Sequence, residues 1–253
     1  MRTPIVLAYH GIGELPAPLD PSGMMVPAAA FRRHVALLRG RGYEFVTQAE
    51  LARRLSSGDG VESTCSVTFD DGLENNLTVV AGLLDELGVP GTFYVCPGLL
   101  GEPYPFTLPE AGMRFLTEEE LLRLAAQPHV EIGSHTARHT ELDDADADEA
   151  HAEMDGSKRA LEGLLQTPVV SFAYPSCGYS PACPAAAERA GYTSAVTCGA
   201  LGGLTPYELR RVSPNPVEGR LVYELRLRGL FHALRDTPPA RLVRRAVRGR
   251  RYG

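Results

Sequence analysis

The chain has 253 residues, 44% of them hydrophobic, enough to bury the core of one barrel-sized domain without staples. Its formal charge of −6 gives no support to nucleic-acid binding, which favours basic domains. The five cysteines, Cys65, Cys96, Cys177, Cys183 and Cys198, form no CxxC pair and read as free buried thiols, which favours a reducing compartment.

Short β-branched runs alternate with longer amphipathic stretches. The start, Met1-Arg2-Thr3-Pro4, leads into a short apolar run, too short for a secretory leader. No stretch approaches the ~18 apolar residues of a spanning helix, so a cytoplasmic protein is expected. Ile5–Tyr9 predicts a strand ending at His10-Gly11. Pro27–Gly40 predicts a helix with Phe31, Val35 and Leu38 on one face. Phe45-Val46 is a short strand, and Thr47 caps a helix from Gln48 to about Ser57. Ser66–Phe69 is a buried-type strand ending in acids. A helix over Asn75–Leu87 is closed by Gly88 and Pro90. Thr92–Val95 is the next strand, and Gly98–Gly112 is a loop expected over the rim of a site. Thr117-x-x-Glu120 has the form of a capping box opening a helix to Ala126. Val130–Ser134 is a strand leading into His135. The acids from Asp143 open a long helix to Leu165; they suit a helix start better than a calcium loop, which needs a glycine and a terminal glutamate. Val169–Tyr174 is a strand, Pro184–Ala190 a helix and Ser194–Thr197 a strand. After Arg211 the pattern weakens. Alternating strands and helices imply a parallel sheet covered by helices, with chemistry at the C-terminal strand ends.

Two segments carry that chemistry. In Thr68-Phe69-Asp70-Asp71-Gly72, a turn at the strand end can bring both carboxylates to one cavity, one to bind a metal and the other to take a proton. The same triplet is also ordinary turn chemistry. In His135-Thr136-Ala137-Arg138-His139, histidines at i, i+4 share a face if the segment is one helical turn. With one carboxylate they give three protein ligands and an open position, the form of a catalytic zinc site. Iron, nickel or cobalt also accept imidazole and carboxylate, so Zn2+ heads a list of divalent ions. His34, His129 and His151 have no ligand partners in sequence and read as core or surface.

Together these segments resemble the polysaccharide deacetylase family, the carbohydrate esterases of family 4 with a nodulation-deacetylase-like domain. The resemblance runs from about Ile5 to Arg211. It implies an α/β fold, a distorted (β/α) barrel, and action on N-acetylated glycans. It assigns Asp70 as base and Asp71, His135 and His139 as metal ligands. The family's third motif carries an arginine before proline and glycine. Here the stretch is Phe172-Ala173-Tyr174-Pro175-Ser176-Cys177-Gly178, with alanine at the arginine's place. Tyr174, Pro175, Ser176 and Cys177 are then substrate-binding residues. A backbone N–H near Ser176 or Cys177 is the oxyanion donor, and Arg210 or Arg211 replaces the missing cation. The start Ile5-Val6-Leu7-Ala8-Tyr9-His10 is similar to a motif that many members carry late, here moved to the front, which is the order of permuted members resembling the biofilm poly-N-acetylglucosamine deacetylases. His10 is thus the acid, although a histidine before Gly11 also serves as a turn residue and His232 is the late alternative.

The implied protein is a metal-dependent N-deacetylase of an amino sugar such as N-acetylglucosamine. Two alternatives stay open: another amide or imide hydrolase on the same scaffold, and a metal-holding glycan-recognition pseudoenzyme. Residues 1–218 are expected to be catalytic and 219–253 an arginine-rich appendage, partly helical or disordered. Tyr223, Leu227, Leu230 and Leu234 have helical spacing ahead of Arg241, Arg244, Arg245, Arg248, Arg250 and Arg251. Such a segment suits peripheral contact with an anionic membrane at its inner face.

Overall fold

The computed structural model describes residues 3–198, 205–214 and 219–227. In chain order the elements are β1 (Ile5–Tyr9), β2 (Gly11–Ile12), β3 (Met25–Val26), α1 (Ala28–Gly40), β4 (Glu44–Val46), α2 (Gln48–Ser57) and β5 (Thr64–Phe69). There follow α3 (Ala81–Leu87), β6 (Gly91–Val95), α4 (Glu118–Ala125), β7 (Val130–Ser134), α5 (Ala147–Leu165), β8 (Ser171–Ala173), α6 (Cys183–Arg189), β9 (Ser194–Cys198), β10 (Leu209–Val212) and α7 (Arg220–Leu227). The main sheet runs β1-β10-β9-β8-β7-β6-β5, and β1 pairs in parallel with β5 to close it. The result is a parallel seven-stranded barrel with helices outside: the helix-covered parallel sheet that the sequence pattern predicts, closed into the barrel that the family resemblance implies. The strand β4 shares β5's other edge with β6, pairing with Thr64–Ser66 while β6 takes Thr68 and Phe69.

Strand alternation divides the side chains into two sets. Ile5, Leu7 and Tyr9 of β1 and Cys65, Val67 and Phe69 of β5 join the helix residues Phe31, Val35, Leu38, Leu84, Leu121 and Met154 in one apolar layer outside the barrel. Phe69 stacks on Phe93 at 5.0 Å and on Tyr9 at 5.7 Å. Burying each such ring stabilises the fold by about 1.5–3 kcal/mol. The opposite faces carry Val6, Ser66, Thr68, Thr92, Tyr94, Glu131, Ser171 and Arg211, so the interior is largely polar.

The helix ends follow local chemistry. The Thr47 hydroxyl accepts the Glu50 N–H, and Thr117 and Glu120 form the expected capping box. Gly88, at φ 59°, ends α3. Two boundaries differ from the sequence pattern. The long helix starts at Ala147, not Asp143, because Asp146 caps it by accepting the N–H groups of Asp148 and Glu149, while the buried Leu142 bridges to Tyr179. The helix predicted over Asn75–Leu87 begins as a wide π-type turn, Asn76–Val80, and is regular only from Ala81. Tertiary bonds decide this: the Asn75 amide exchanges two hydrogen bonds with the Ile12 backbone, and Asn76 donates to the His10 carbonyl.

Helix α7 occupies the start of the expected appendage. Its Tyr223 ring lies 4.0 Å from that of His34 on α1, and Glu224 pairs with Arg41 at 3.1 Å. Tyr223 and Leu227 are buried, so this part of the stripe expected to meet a membrane faces the protein's own core. Leu230, Leu234, His232 and the arginines from Arg241 lie outside the described residues.

Candidate active site

The C-terminal rim of the barrel gathers the polar residues into a cavity of about 240 Å³. Its lining includes His10, Asp70, Asp71, His135 and His139, which the chain delivers from three separate segments. At the end of β5 the backbone turns left-handed at Asp71 (φ 74°) and Gly72 (φ 80°), and this aims both carboxylates at one space. A side chain at position 72 would meet Val95 at 3.0 Å, so only glycine completes the turn.

Asp71 Oδ1 stands 3.5 Å from His135 Nε2 and 3.6 Å from His139 Nε2. These three residues form the one His/Cys/Asp/Glu cluster among the described residues suited to an ion, with ligand atoms within 4.8 Å of one another. Ligands about 2 Å from a tetrahedral ion stand roughly 3.3 Å apart, so the spacing fits. Asp71 Oδ1 is buried and has no hydrogen-bond partner, a state that bound cation would relieve. His135 Nδ1 donates to the Ala173 carbonyl at 2.7 Å, which fixes the tautomer and leaves Nε2 as the ligand atom. Burial holds the His135 imidazole below its ordinary pKa, against the pull of Asp70 and Asp71, and so favours the neutral form a ligand needs.

The two histidines meet without the helical turn that their spacing would allow. Thr136 (φ 59°) and His139 (φ 57°) are both left-handed, and the segment is a double turn. The Thr136 hydroxyl holds it, accepting the Thr140 N–H and donating to the His135 carbonyl. Gly98 closes against its outside, where a Cβ would come within 2.8 Å of the Ala137 oxygen.

Asp70 is gripped by Arg211 of β10. The guanidinium makes two parallel bonds, Nη1 to Oδ1 at 2.6 Å and Nη2 to Oδ2 at 2.8 Å, and a third to Thr68 Oγ1 at 3.1 Å. It lies over the Tyr94 ring at 5.7 Å. Burial alone would raise the Asp70 pKa, but the Arg211 charge, helped by His135, outweighs it and brings the group to about 2. Arg211 moves the opposite way: burial would lower its pKa, and Asp70 more than offsets that. Of the two arginines considered for the missing cation, Arg211 points inward; its neighbour Arg210 is exposed. Nothing in the sequence marked β10, a short strand with two charges, as the last stave of the barrel.

His10 sits just past β1, with Nε2 4.0 Å from Asp71 Oδ2 and its side chain 33% exposed. Tyr104 is a site residue that sequence analysis missed. Its hydroxyl donates to Asp71 Oδ2 at 2.5 Å. Burial first, then the Asp71 charge, raises the phenol's pKa and keeps it a donor. It belongs to the Gly98–Gly112 loop and packs with Leu73 and Phe115 in a small core of its own. In the same loop, the Phe106 ring lies 5.1 Å from that of His139.

The Phe172–Gly178 stretch needs two corrections. Tyr174 and Pro175 are buried outside the cavity lining, and the Tyr174 hydroxyl donates to the Tyr207 carbonyl. Alternation explains this, since Ala173 of β8 faces the interior and Tyr174 after it faces the outer layer. Ser176 and Cys177 do line the cavity. The second correction is that Cys177 and Cys198 form a disulfide, so only Cys65, Cys96 and Cys183 are buried free thiols. Spacing could not reveal this bridge, because parallel neighbours β8 and β9 bring together cysteines far apart in sequence.

Residues 57–195, more than half of the chain, match the family model described as polysaccharide deacetylase. Over 193 residues the chain is 27% identical to YxkH of Bacillus subtilis (strain 168), a protein given the same family description. The match covers 76% of this chain and 63% of YxkH, so the chain spans under two thirds of that relative's length. Among solved structures, the Streptococcus pyogenes deacetylase PplD, determined in complex with acetate, superposes with a TM-score of 0.73 at 23% identity, covering 91% of this chain and 98% of PplD. IcaB from Ammonifex degensii gives a TM-score of 0.74 at 20% identity, with the same coverage. The structural likenesses establish a shared deacetylase-type barrel. The chain belongs to the polysaccharide deacetylase family.

Proposed function

We propose that the protein hydrolyses the N-acetyl group of an amino sugar carried in a glycan, a glycolipid precursor or a glycoconjugate. One observation carries this reading. A buried, unpartnered Asp71 oxygen faces two imidazoles, beside a second carboxylate held in place by Arg211. Acetate, the product this reaction would release, is bound in PplD.

Asp71, His135 and His139 would hold one divalent ion, Zn2+ before Fe, Ni or Co. Bound there, it would polarise the acetyl carbonyl and acidify a water. Asp70 takes the proton from the attacking water, and the two bonds from Arg211 fix its carboxylate in one orientation. The oxyanion donor is the Ser176 N–H, since the Cys177 N–H is committed to the Tyr174 carbonyl at 3.1 Å. His10, across the cavity just past β1, protonates the leaving amine.

The pairing of Arg211 with Asp70 supports a hydrolase over a glycan-binding pseudoenzyme, because it supplies the cation that the alanine at position 173 lacks. We take the catalytic unit to run through α7 rather than stop at residue 218, because α7 packs on α1. No helix among the described residues is long and apolar enough to cross a membrane. The cytoplasmic expectation keeps less support now that two cysteines are bridged. The test is acetate release by the metal-loaded protein from N-acetylglucosamine oligomers and from acetylated glycolipids, with small imides alongside. Turnover of imides without acetate release would replace this reading with the broader amide hydrolase.

A further inference from the structure

The turn after β8 is conformationally expensive. Ser176 (φ 52°) and Cys177 (φ 65°) are consecutive left-handed residues, and neither is glycine. Such residues persist only where their surroundings over-determine them. Three contacts do so here. The Ser176 hydroxyl donates to Glu141 at 2.7 Å, Thr197 Oγ1 donates to the Cys177 carbonyl at 2.7 Å, and Cys177 is bonded to Cys198 at the end of β9. The Cα atoms of the bridged pair are 5.2 Å apart. Both cysteines line the same cavity as Asp70 and His10, and both are part-exposed. The three other cysteines are buried. The one covalent tie on this turn is thus also the one that a reductant entering the site can reach.

We infer that the Cys177–Cys198 disulfide positions the Ser176 N–H for catalysis and makes turnover depend on the redox state of this pair. The inference rests on the deacetylase reading. When the bridge opens, the turn is left with hydrogen bonds alone: the two from side chains, and those from the Cys177 and Gly178 N–H groups to the Tyr174 and Pro175 carbonyls. The ligands Asp71, His135 and His139 follow the β5 and β7 ends, and the one bond from His135 to β8 goes to the Ala173 carbonyl, within the strand ahead of the turn. The bridge therefore acts on the reaction step and not on ion binding. Complete loss of an oxyanion donor costs about 10²–10³-fold in kcat, so a loosened donor should cost about tenfold.

The thiol count is read first. Alkylation of the unfolded, unreduced protein should modify three cysteines, and prior reduction should raise this to five. Five modified without reduction overturns the inference. The native, metal-loaded protein is then treated with a phosphine. The S–S bond breaks, phosphorus takes an oxygen from water to become the phosphine oxide, and Cys177 and Cys198 gain two electrons and two protons as thiols. The expected result is a kcat about tenfold lower with KM and bound metal unchanged, restored on reoxidation. Cys198→Ser should show the same low kcat and no response to phosphine. Reduction of the wild-type chain decides alone if that variant does not fold. Unchanged kcat in the reduced protein overturns the inference, and so does a loss that tracks released metal. An oxidised protein that releases no acetate overturns the deacetylase reading instead, whatever the thiol count.

Discussion

The two faces of the barrel strands do different work. Outward, β1 presents Ile5, Leu7 and Tyr9 and β5 presents Cys65, Val67 and Phe69, all buried against the helices. Inward, the same strands present Val6 and Ala8, and Ser66, Thr68 and then Asp70. The outer layer is apolar and stabilises by area. The inner face keeps buried acids whose oxygens are matched, Asp70 by Arg211 and Glu131 by Ser171, Thr92 and the Ala49 N–H, and at the rim leaves Asp71 Oδ1 open. In such a barrel a one-residue shift along a strand exchanges core for chemistry.

The largest expected effect falls on the inner face. Asp70→Asn should lower turnover about 10²–10⁴-fold, the usual contribution of a general base. Bound metal, measured by atomic emission, should stay at wild-type level, since Asp71 and not Asp70 is the proposed ligand. Near-normal rates would move the base to another residue.

Next come two substitutions that should match in stability and differ in everything else. Phe93→Ala empties part of the outer layer and should cost about 3–5 kcal/mol in urea unfolding, while the folded fraction keeps its metal affinity. Arg211→Met strands a buried Asp70 carboxylate and should also cost about 3–5 kcal/mol. Adding Asp70→Asn to Arg211→Met should return part of that stability, because the stranded charge is gone. No recovery in the double variant would mean that Arg211 acts mainly by packing over Tyr94.

The outer layer is not wholly inert to pH. His34 is buried there, stacked on Tyr223, with Nδ1 3.0 Å from the Tyr9 hydroxyl. Burial, then the Arg33 charge, lowers its pKa from 6.5 to about 4. The fold thus favours the neutral ring. The unfolded chain binds the extra proton between pH 6.5 and 4, so this contribution is complete above 6.5 and is lost as pH falls toward 4. The loss should be about 3 kcal/mol at 1.36 kcal/mol per pKa unit. Urea unfolding at pH 7 and pH 4.5 should show a smaller drop for His34→Gln than for wild type. An equal drop would place the sensitivity in the carboxylates.

Much of this division was legible in the sequence. Hydrophobic periodicity gave most of the helices and strands, and the caps at Thr47 and Thr117 were visible residue by residue. Asp70, Asp71, His135 and His139 stood out because each follows an apolar strand. What escaped depended on contacts between distant segments. The short strand β10 carries two arginines and has no apolar period, so its role emerges only when it pairs between β9 and β1. The disulfide needed the β8–β9 neighbourhood. The double turn at His135–His139 needed Gly98 from another loop. Tyr104 lies in a stretch without regular structure, where a tyrosine has no signal of its own.

That tyrosine gives the smallest expected effect and the finest cut between the two kinds of region, since its ring belongs to a packed cluster and its hydroxyl to the site. The ring lies 5.3 Å from both Phe106 and Phe115. The hydroxyl donates to Asp71 Oδ2 and leaves Oδ1 as the atom facing His135 and His139. Tyr104→Phe keeps the ring and removes only the donor. Asp71 then loses the bond that fixes its rotation and that distinguishes its two oxygens. Outer-shell donors of this kind typically contribute about 10–100-fold in metal affinity. Competition against a chromogenic chelator should show a loss in that range, while the apo protein melts within a few degrees of wild type. Unchanged affinity would reduce Tyr104 to a packing residue. A large fall in apo stability with normal affinity would say the same, because a hydroxyl that merely satisfied a buried carboxylate would stabilise the fold without regard to the ion. Only a loss confined to metal binding separates the oxygen Tyr104 occupies from the one it leaves exposed to the histidines.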